Sequence, residues 1–194
     1  MTVSLDYYTR EYENFLSEDF CKQLIFKYER LMDTEFENVK AKSGCRGTCT
    51  HCTCHRMDLN NHQIFNGDVQ FVASQLIRHL DTYKNDVKLD PIQWPKDFNF
   101  EFLKIKRYTP GEGRFLPHVD GSHIGSAKRF MVFLIYLNDD FKGGRTIFNL
   151  TGKTVEPKTG KLLMFPPHWP WLHEGELVED NYKYFLGTYL TFKE

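Results

Sequence analysis

The sequence predicts an α+β fold, mainly β: a double sheet of sandwich or barrel-like form, with N-terminal helices packed on one outer face. Three observations predict it. Apolar residues in the first half recur at helical spacing; from Phe98 onward the pattern changes to period two; and about eight short β-type segments then follow in under about a hundred residues, a density that suits a closed or doubled sheet. At 194 residues the chain fits a single domain able to bury a real core. We divide it into a helical support over 1–97, with a Cys-rich loop at 43–56, and a β core over 98–194.

The first helix is expected from about 17 to 33. Ser17 supplies a cap, Glu18 and Asp19 place acids in the first turn, and Phe20, Leu24, Tyr28 and Leu31 recur along one face. A second helix, Asp68 to Tyr83, carries Val69, Val72, Leu76, Leu80 and Tyr83 on one stripe. The two prolines of "DPIQWPKD" end the helical half. The β-type segments are "FNFEF", "RFLPHVD", "RFMVFLIYL", "RTIFNL", "KTVEP", "KLLMF", "WLHEGEL" and "YKYFLGTYLTF", separated by turns such as "NDDFKGG" and "EPKTGK".

Charge excludes some partners. Lys plus Arg number 25 against 26 Asp plus Glu, so no global field points to nucleic acid or an anionic membrane. The longest apolar runs fall short of the roughly 20 residues a helix needs to span a bilayer. The N-terminus, "MTVSLDYYTREYENF", lacks the basic end and apolar stretch of a secretory signal. An intracellular, cytoplasmic protein is therefore expected. Four of the five cysteines fall within residues 45–54, a pattern of reduced thiols or a metal site more than of a secreted disulfide framework.

Two His-x-Asp sequences stand out. His79 and Asp81 fall inside the second helix, where residues two apart project about 200° apart and cannot grip one ion. His118 and Asp120 fall on an expected strand, where residues two apart share a face, so imidazole and carboxylate can converge on one cation. A third ligand is available in His173 of "HWPWLHEGEL", on a later strand that an antiparallel double sheet can bring alongside. Two histidines and a carboxylate on one face of a metal leave adjacent positions open, the arrangement of non-haem Fe(II) oxygenases.

At these residues the sequence resembles the 2-oxoglutarate/Fe(II)-dependent dioxygenase family, and within it the prolyl 4-hydroxylase-like branch. Four signals arrive in that family's order over about residues 98–192: "RYTPGEGRFLPHVD", "FLIYLND" followed by "GGRTIF", "KLLMFPP" leading to "WLHEG", and "NYKYFLGTYL". The resemblance implies a double-stranded β-helix (jelly-roll) core and a metal triad of His118, Asp120 and His173. It implies Lys183, ten residues after His173, as the cation for the remote carboxylate of 2-oxoglutarate, which must be paired when desolvated. Alternation then puts Phe185, Gly187 and Tyr189 on the interior face with Lys183. Tyr136 and Tyr108 match family tyrosines at the remote and metal-chelating ends of the cosubstrate; as strand tyrosines they also suit an apolar core.

The implied activity is hydroxylation of a C–H bond, most of all in prolyl residues of a peptide or protein, with dioxygen consumed, succinate and CO2 released, and ascorbate as reductant. The presence of Asp120 favours hydroxylation over halogenation. Trp169 and Trp171 offer rigid aromatic surfaces for a pyrrolidine ring, or core filling; Arg145 is a candidate for the substrate groove, or a strand decoration. Phe185 is bulkier than the family pattern suggests. Cys45, Cys49, Cys52 and Cys54, interleaved with His51 and His55, suit either a tetrahedral zinc or free thiols. In the family this segment is a lid over a peptide substrate. The alternatives are a hydroxylase of a free amino acid or small molecule, and a non-catalytic binding module on the same barrel.

Overall fold

The computed structural model describes residues 4–42 and 52–193. Two helices, α1 (Glu18–Lys42) and α2 (Asn66–Asp86), accompany eleven strands. In chain order these are β1 (Arg10–Tyr12), β2 (His55–Asp58), β3 (Phe98–Phe100), β4 (Lys104–Tyr108), β5 (Phe115–His118), β6 (Arg129–Tyr136), β7 (Thr146–Phe148), β8 (Thr154–Val155), β9 (Leu162–Phe165), β10 (His173–Gly175) and β11 (Lys183–Phe192). They form two antiparallel sheets. One is seven-stranded, in the order β1-β9-β6-β11-β4-β2 with β3 also paired to β11; the other runs β5-β10-β7-β8.

Both helices form where apolar spacing predicts them, and both run further. The Ser17 hydroxyl accepts the Phe20 backbone N–H at the start of α1. Cys21, Leu24, Tyr28 and Met32 make its buried stripe, and Val72, Leu76, Leu80 and Tyr83 that of α2. These stripes merge with Ile105 of β4, Met131, Phe133 and Ile135 of β6, and Leu186 and Leu190 of β11 in one core. The helices thus cover the outer face of the larger sheet. Polar ties fix them there: Glu29 of α1 accepts from Arg107 of β4 at 2.8 Å and from the Tyr184 hydroxyl of β11 at 2.8 Å, and Lys27 pairs with Asp68 between the helices.

The alternate residues face the second sheet. Val132 and Tyr136 of β6 and Leu163 and Phe165 of β9 pack with Phe148 and Val155 of the smaller sheet. A strand covered on both faces reads as a continuous apolar run, which is why "FMVFLIYL" shows no polar alternation. Burial of each such side chain stabilises by about 1.5–3 kcal/mol relative to exposure.

Three strands escape the sequence reading. β1 and β2 come from the helical half and pair with β9 and β4 at opposite ends of the larger sheet, so the first half of the chain contributes strands to the core. β4, "KIKRY", is masked by its cations. Each has a separate destination: Lys104 pairs with Glu101, Arg107 with Glu29, and Lys106 turns inward. No helix among the described residues is long and apolar enough to cross a membrane.

Candidate metal and cosubstrate site

Residues of both sheets line a cavity between them. His118 is the last residue of β5 and His173 the first of β10, and the antiparallel register sets them directly opposite. Their rings lie 4.3 Å apart, centroid to centroid. Asp120 is not on the strand, as the His-x-Asp reading supposed: β5 stops at His118 and Asp120 occupies the turn that follows. That turn is held by Arg129, whose guanidinium donates to the Asp120 carbonyl at 2.9 Å, and by Gly121 N–H bonding to Pro167 O at 2.9 Å. The carboxylate still reaches both imidazoles, with Oδ1 4.0 Å from His118 Nε2 and Oδ2 3.5 Å from His173 Nε2. One ligand atom from each of the three groups lies within 4.8 Å of the others.

The tautomers follow from backbone geometry. His118 Nδ1 lies 2.8 Å from Leu116 O, and His173 Nδ1 lies 2.9 Å from Trp171 O. A carbonyl only accepts, so each Nδ1 carries the proton and each Nε2 presents a lone pair to the same point. Phe115 stacks on His118 at 3.6 Å, while Phe165 and Phe148 enclose His173. Burial, then the neighbouring His173, pushes the His118 pKa down to about 4, so the ring is neutral and ready to ligate at pH 7. Burial opposes charge on Asp120, yet the two imidazoles and the Tyr189 hydroxyl hold its pKa below the usual carboxylate value. Two imidazoles and one carboxylate, with open space beside them, suit a divalent iron.

Lys183 opens β11 at the opposite end of the cavity and is buried to 3 % exposure. Its ammonium donates to Gly144 O and lies 5.4 Å from the Tyr136 ring centroid and 5.5 Å from that of Tyr108. No carboxylate among the described residues forms an ion pair with it. Burial, aggravated by the charge of Lys106 and eased by Glu176, lowers its pKa to about 7. A buried cation lacking a counter-ion is costly unless an anion joins it, which fits a dianionic cosubstrate. Tyr136 bonds Thr146 Oγ1 at 2.7 Å, and Tyr108 stacks on Phe185 at 5.6 Å. Phe185 and Tyr189 face the cavity with Lys183, as strand alternation requires.

The remaining candidates fall elsewhere. Trp171 does not line the cavity; its carbonyl holds His173 and its half-buried ring leans on Tyr8 at 6.3 Å. Trp169 is 81 % exposed. Arg145 also lies off the cavity, in a two-point ion pair with Glu176 at 2.6 and 2.7 Å. His79 sits between the Tyr12 and Phe15 rings while Asp81 reaches out to Lys84, so the helical His-x-Asp gathers no ion. Cys45, Cys49 and His51 lie outside the described residues, whereas Cys52 bridges to Phe115 and Cys54 packs near Tyr108 and Phe185, beside the cavity. Sequence reasoning gave no role to Tyr189, Arg129, Thr146 or Lys106. Only Tyr189 left a signal, its parity with Lys183.

Comparison with known proteins agrees with this geometry. Residues 103–191 match the family model of the 2OG-Fe(II) oxygenase superfamily. A protein of Acanthamoeba polyphaga mimivirus bearing the name "Putative prolyl 4-hydroxylase" is 28% identical, over 71% of this chain and 67% of its own. In fold, the chain is similar to the viral collagen prolyl hydroxylase of Paramecium Bursaria Chlorella virus-1 in its 2OG complex, at 20% identity and TM-score 0.66, covering 94% of this chain and 95% of that one. It is similar also to a Pseudomonas putida prolyl-4-hydroxylase, at 17% identity and TM-score 0.66, covering 96% and 94%. A third likeness is to a Trichoplax adhaerens prolyl hydroxylase in complex with a hypoxia inducible factor peptide fragment, at 12% identity and TM-score 0.68, covering 95% and 84%.

Proposed function

Taking as premise that this chain is a 2-oxoglutarate/Fe(II)-dependent oxygenase of the prolyl 4-hydroxylase-like kind, we propose that it hydroxylates prolyl residues of a peptide or protein from a double-stranded β-helix core. The observation that carries this reading is the pairing of two sites in one cavity: the convergent His118, Asp120 and His173 at one end, and the buried, carboxylate-free Lys183 at the other.

In this reading the triad holds Fe(II), and Lys183 takes the remote carboxylate of 2-oxoglutarate. When bound, iron, 2-oxoglutarate and dioxygen supply the oxidising power that places one oxygen atom in a C–H bond, with succinate and CO2 as coproducts and ascorbate as the reductant that keeps iron ferrous. The protein's own contribution is geometric and electrostatic. The two imidazoles, their Nδ1 protons spent on backbone carbonyls, keep Nε2 aimed inward. Tyr108 and Phe185 form an apolar wall that keeps water from the cosubstrate. Tyr136, tied to Thr146, stands beside Lys183 to steady the same carboxylate. The prolyl substrate follows the relatives: the mimivirus protein carries the prolyl 4-hydroxylase name and the Trichoplax neighbour holds a peptide.

The test is succinate release from 2-oxoglutarate with Fe(II) and oxygen, joined to mass spectrometry of proline-containing peptides for a gain of one oxygen. Wild type is expected to give both and His118→Ala neither. Succinate with oxygen gained only by a free amino acid would replace the peptide reading, and silence in both proteins would leave a binding module.

A further inference from the structure

The cavity holds one more cation than this reading employs. Lys106 stands on the inner face of β4, opposite Phe185 of β11 in register. It is half-buried, and its ammonium lies 4.8 Å from the centroid of Phe115 and 5.2 Å from that of Phe185. Those two rings mark the two ends of the site: Phe115 lies flat on the metal-facing His118, and Phe185 lies 5.5 Å from the Lys183 ammonium. Lys106 therefore occupies the interval between the triad and Lys183. The other cations of its strand are engaged, Lys104 by Glu101 and Arg107 by Glu29, while no carboxylate among the described residues forms an ion pair with Lys106.

Two like charges facing one enclosed space repel, and the repulsion ends when anions fill that space. Asp120 offsets part of the charge of ferrous iron, and the remote carboxylate of a 2-oxo acid offsets Lys183. Lys106 is the charge left over. We propose that Lys106 is a second carboxylate-binding residue of the cavity; this rests on the function proposed above and deepens it. Its carboxylate comes either from the metal end of the 2-oxo acid or from an acidic side chain beside the prolyl residue of the substrate. A lysine serving only to cover Phe115 and Phe185 with its stem would need neither.

The two sources separate in two measurements on the full chain. The first is calorimetric titration of the Mn(II)-loaded protein, without oxygen, by 2-oxoglutarate and by 2-oxopentanoate, which lacks the remote carboxylate. The second is hydroxylation of two proline peptides, one with Glu and one with Gln beside the proline, followed by mass spectrometry. Lys106→Met keeps the apolar stem, Lys106→Arg keeps the charge, and Lys183→Met is the reference. If the oxo acid is the source, Lys106→Met weakens both ligands by about tenfold or more, Lys106→Arg restores part of the loss, and Lys183→Met weakens 2-oxoglutarate alone. If the substrate is the source, oxo-acid binding is unchanged, wild type prefers the Glu peptide through KM, and Lys106→Met erases that preference. Lys106→Met matching wild type in both measurements overturns the proposal; with no turnover of either peptide, the titration alone decides. Failure of wild type to bind either oxo acid sinks the underlying function instead.

Discussion

The Tyr189 hydroxyl donates to Asp120 Oδ1 at 2.7 Å, from the same strand whose first residue is Lys183. One strand of the larger sheet thus governs both ends of the cavity. Burial and the adjacent carboxylate push the Tyr189 pKa well above its ordinary value, so the phenol remains a donor at every working pH. Arg129 backs the arrangement, lying 3.8 Å over the Tyr189 ring while bonding the Asp120 carbonyl and pairing with Glu101. Tyr189→Phe removes the one hydrogen bond and keeps the ring. Partners of metal ligands are worth about 10–100-fold in metal affinity, and we expect a loss at the lower end of that range, read by Co(II) titration. A change under about twofold would show that the turn alone orients Asp120.

Replacement of the triad should separate metal binding from folding. His118→Ala and Asp120→Ala are expected to lose stoichiometric Co(II) binding and all 2-oxoglutarate turnover, while circular dichroism shows the same mixture of helix and sheet. The expectation follows from two imidazoles and a carboxylate being the whole ligand set among the described residues. Retention of a one-to-one metal complex by either variant would place the metal elsewhere.

Lys183 gives the protein a pH dependence with a definite sign. Unfolded, the amine titrates near 10.5, and in the ligand-free fold near 7, because burial and the charge of Lys106 outweigh the help of Glu176. Between these values the unfolded chain binds the extra proton, so the stability of the ligand-free protein should rise with pH from 7 upward as the cost of burying the charge is relieved. A bound dianion reverses the preference and restores the ammonium. Binding of 2-oxoglutarate above pH 7 should therefore take up close to one proton, and affinity should fall as pH rises. Calorimetry at pH about 8.5 in two buffers of different ionisation enthalpy measures that uptake. Its persistence in Lys183→Met would assign the proton to another group.

The parts of this site that could be read in the sequence share a physical reason. His118, His173 and Lys183 sit on strands, where period two ties a side chain's direction to its neighbours, so placing one inward placed Phe185 and Tyr189 as well. Asp120 was found for the wrong reason, since its direction comes from a turn fixed by Arg129, nine residues on, and by the more distant Pro167. β4 was lost because hydrophobic pattern cannot tell a solvated lysine from one whose partner is a distant carboxylate or an enclosed cavity. Trp171 illustrates the converse: beside His173 in sequence, it serves the site through its carbonyl while its ring packs toward Tyr8. Pairings across the sheets, such as Glu29 with Arg107, carry no local signature.

The double glycine of "GGRTIF" supports the cosubstrate end, and its two functions can be separated. Gly144 adopts φ +67°, and a Cβ there would meet Phe141 at 2.8 Å and the Lys183 side chain at 3.2 Å, while its carbonyl receives the Lys183 ammonium. Gly152 has a similar φ of +75° in a turn where a Cβ would meet nothing within 4 Å. Alanine at either position incurs the left-handed backbone cost of about 1–2 kcal/mol. Only Gly144→Ala also presses on Lys183. Gly152→Ala should thus lower the denaturation midpoint and leave 2-oxoglutarate affinity alone, whereas Gly144→Ala should lower both, by about tenfold or more in affinity if the ammonium is driven from its carbonyl. Equal affinities in the two variants would mean that the cavity takes up the methyl through Phe141, and that Lys183 does not depend on this turn for its position.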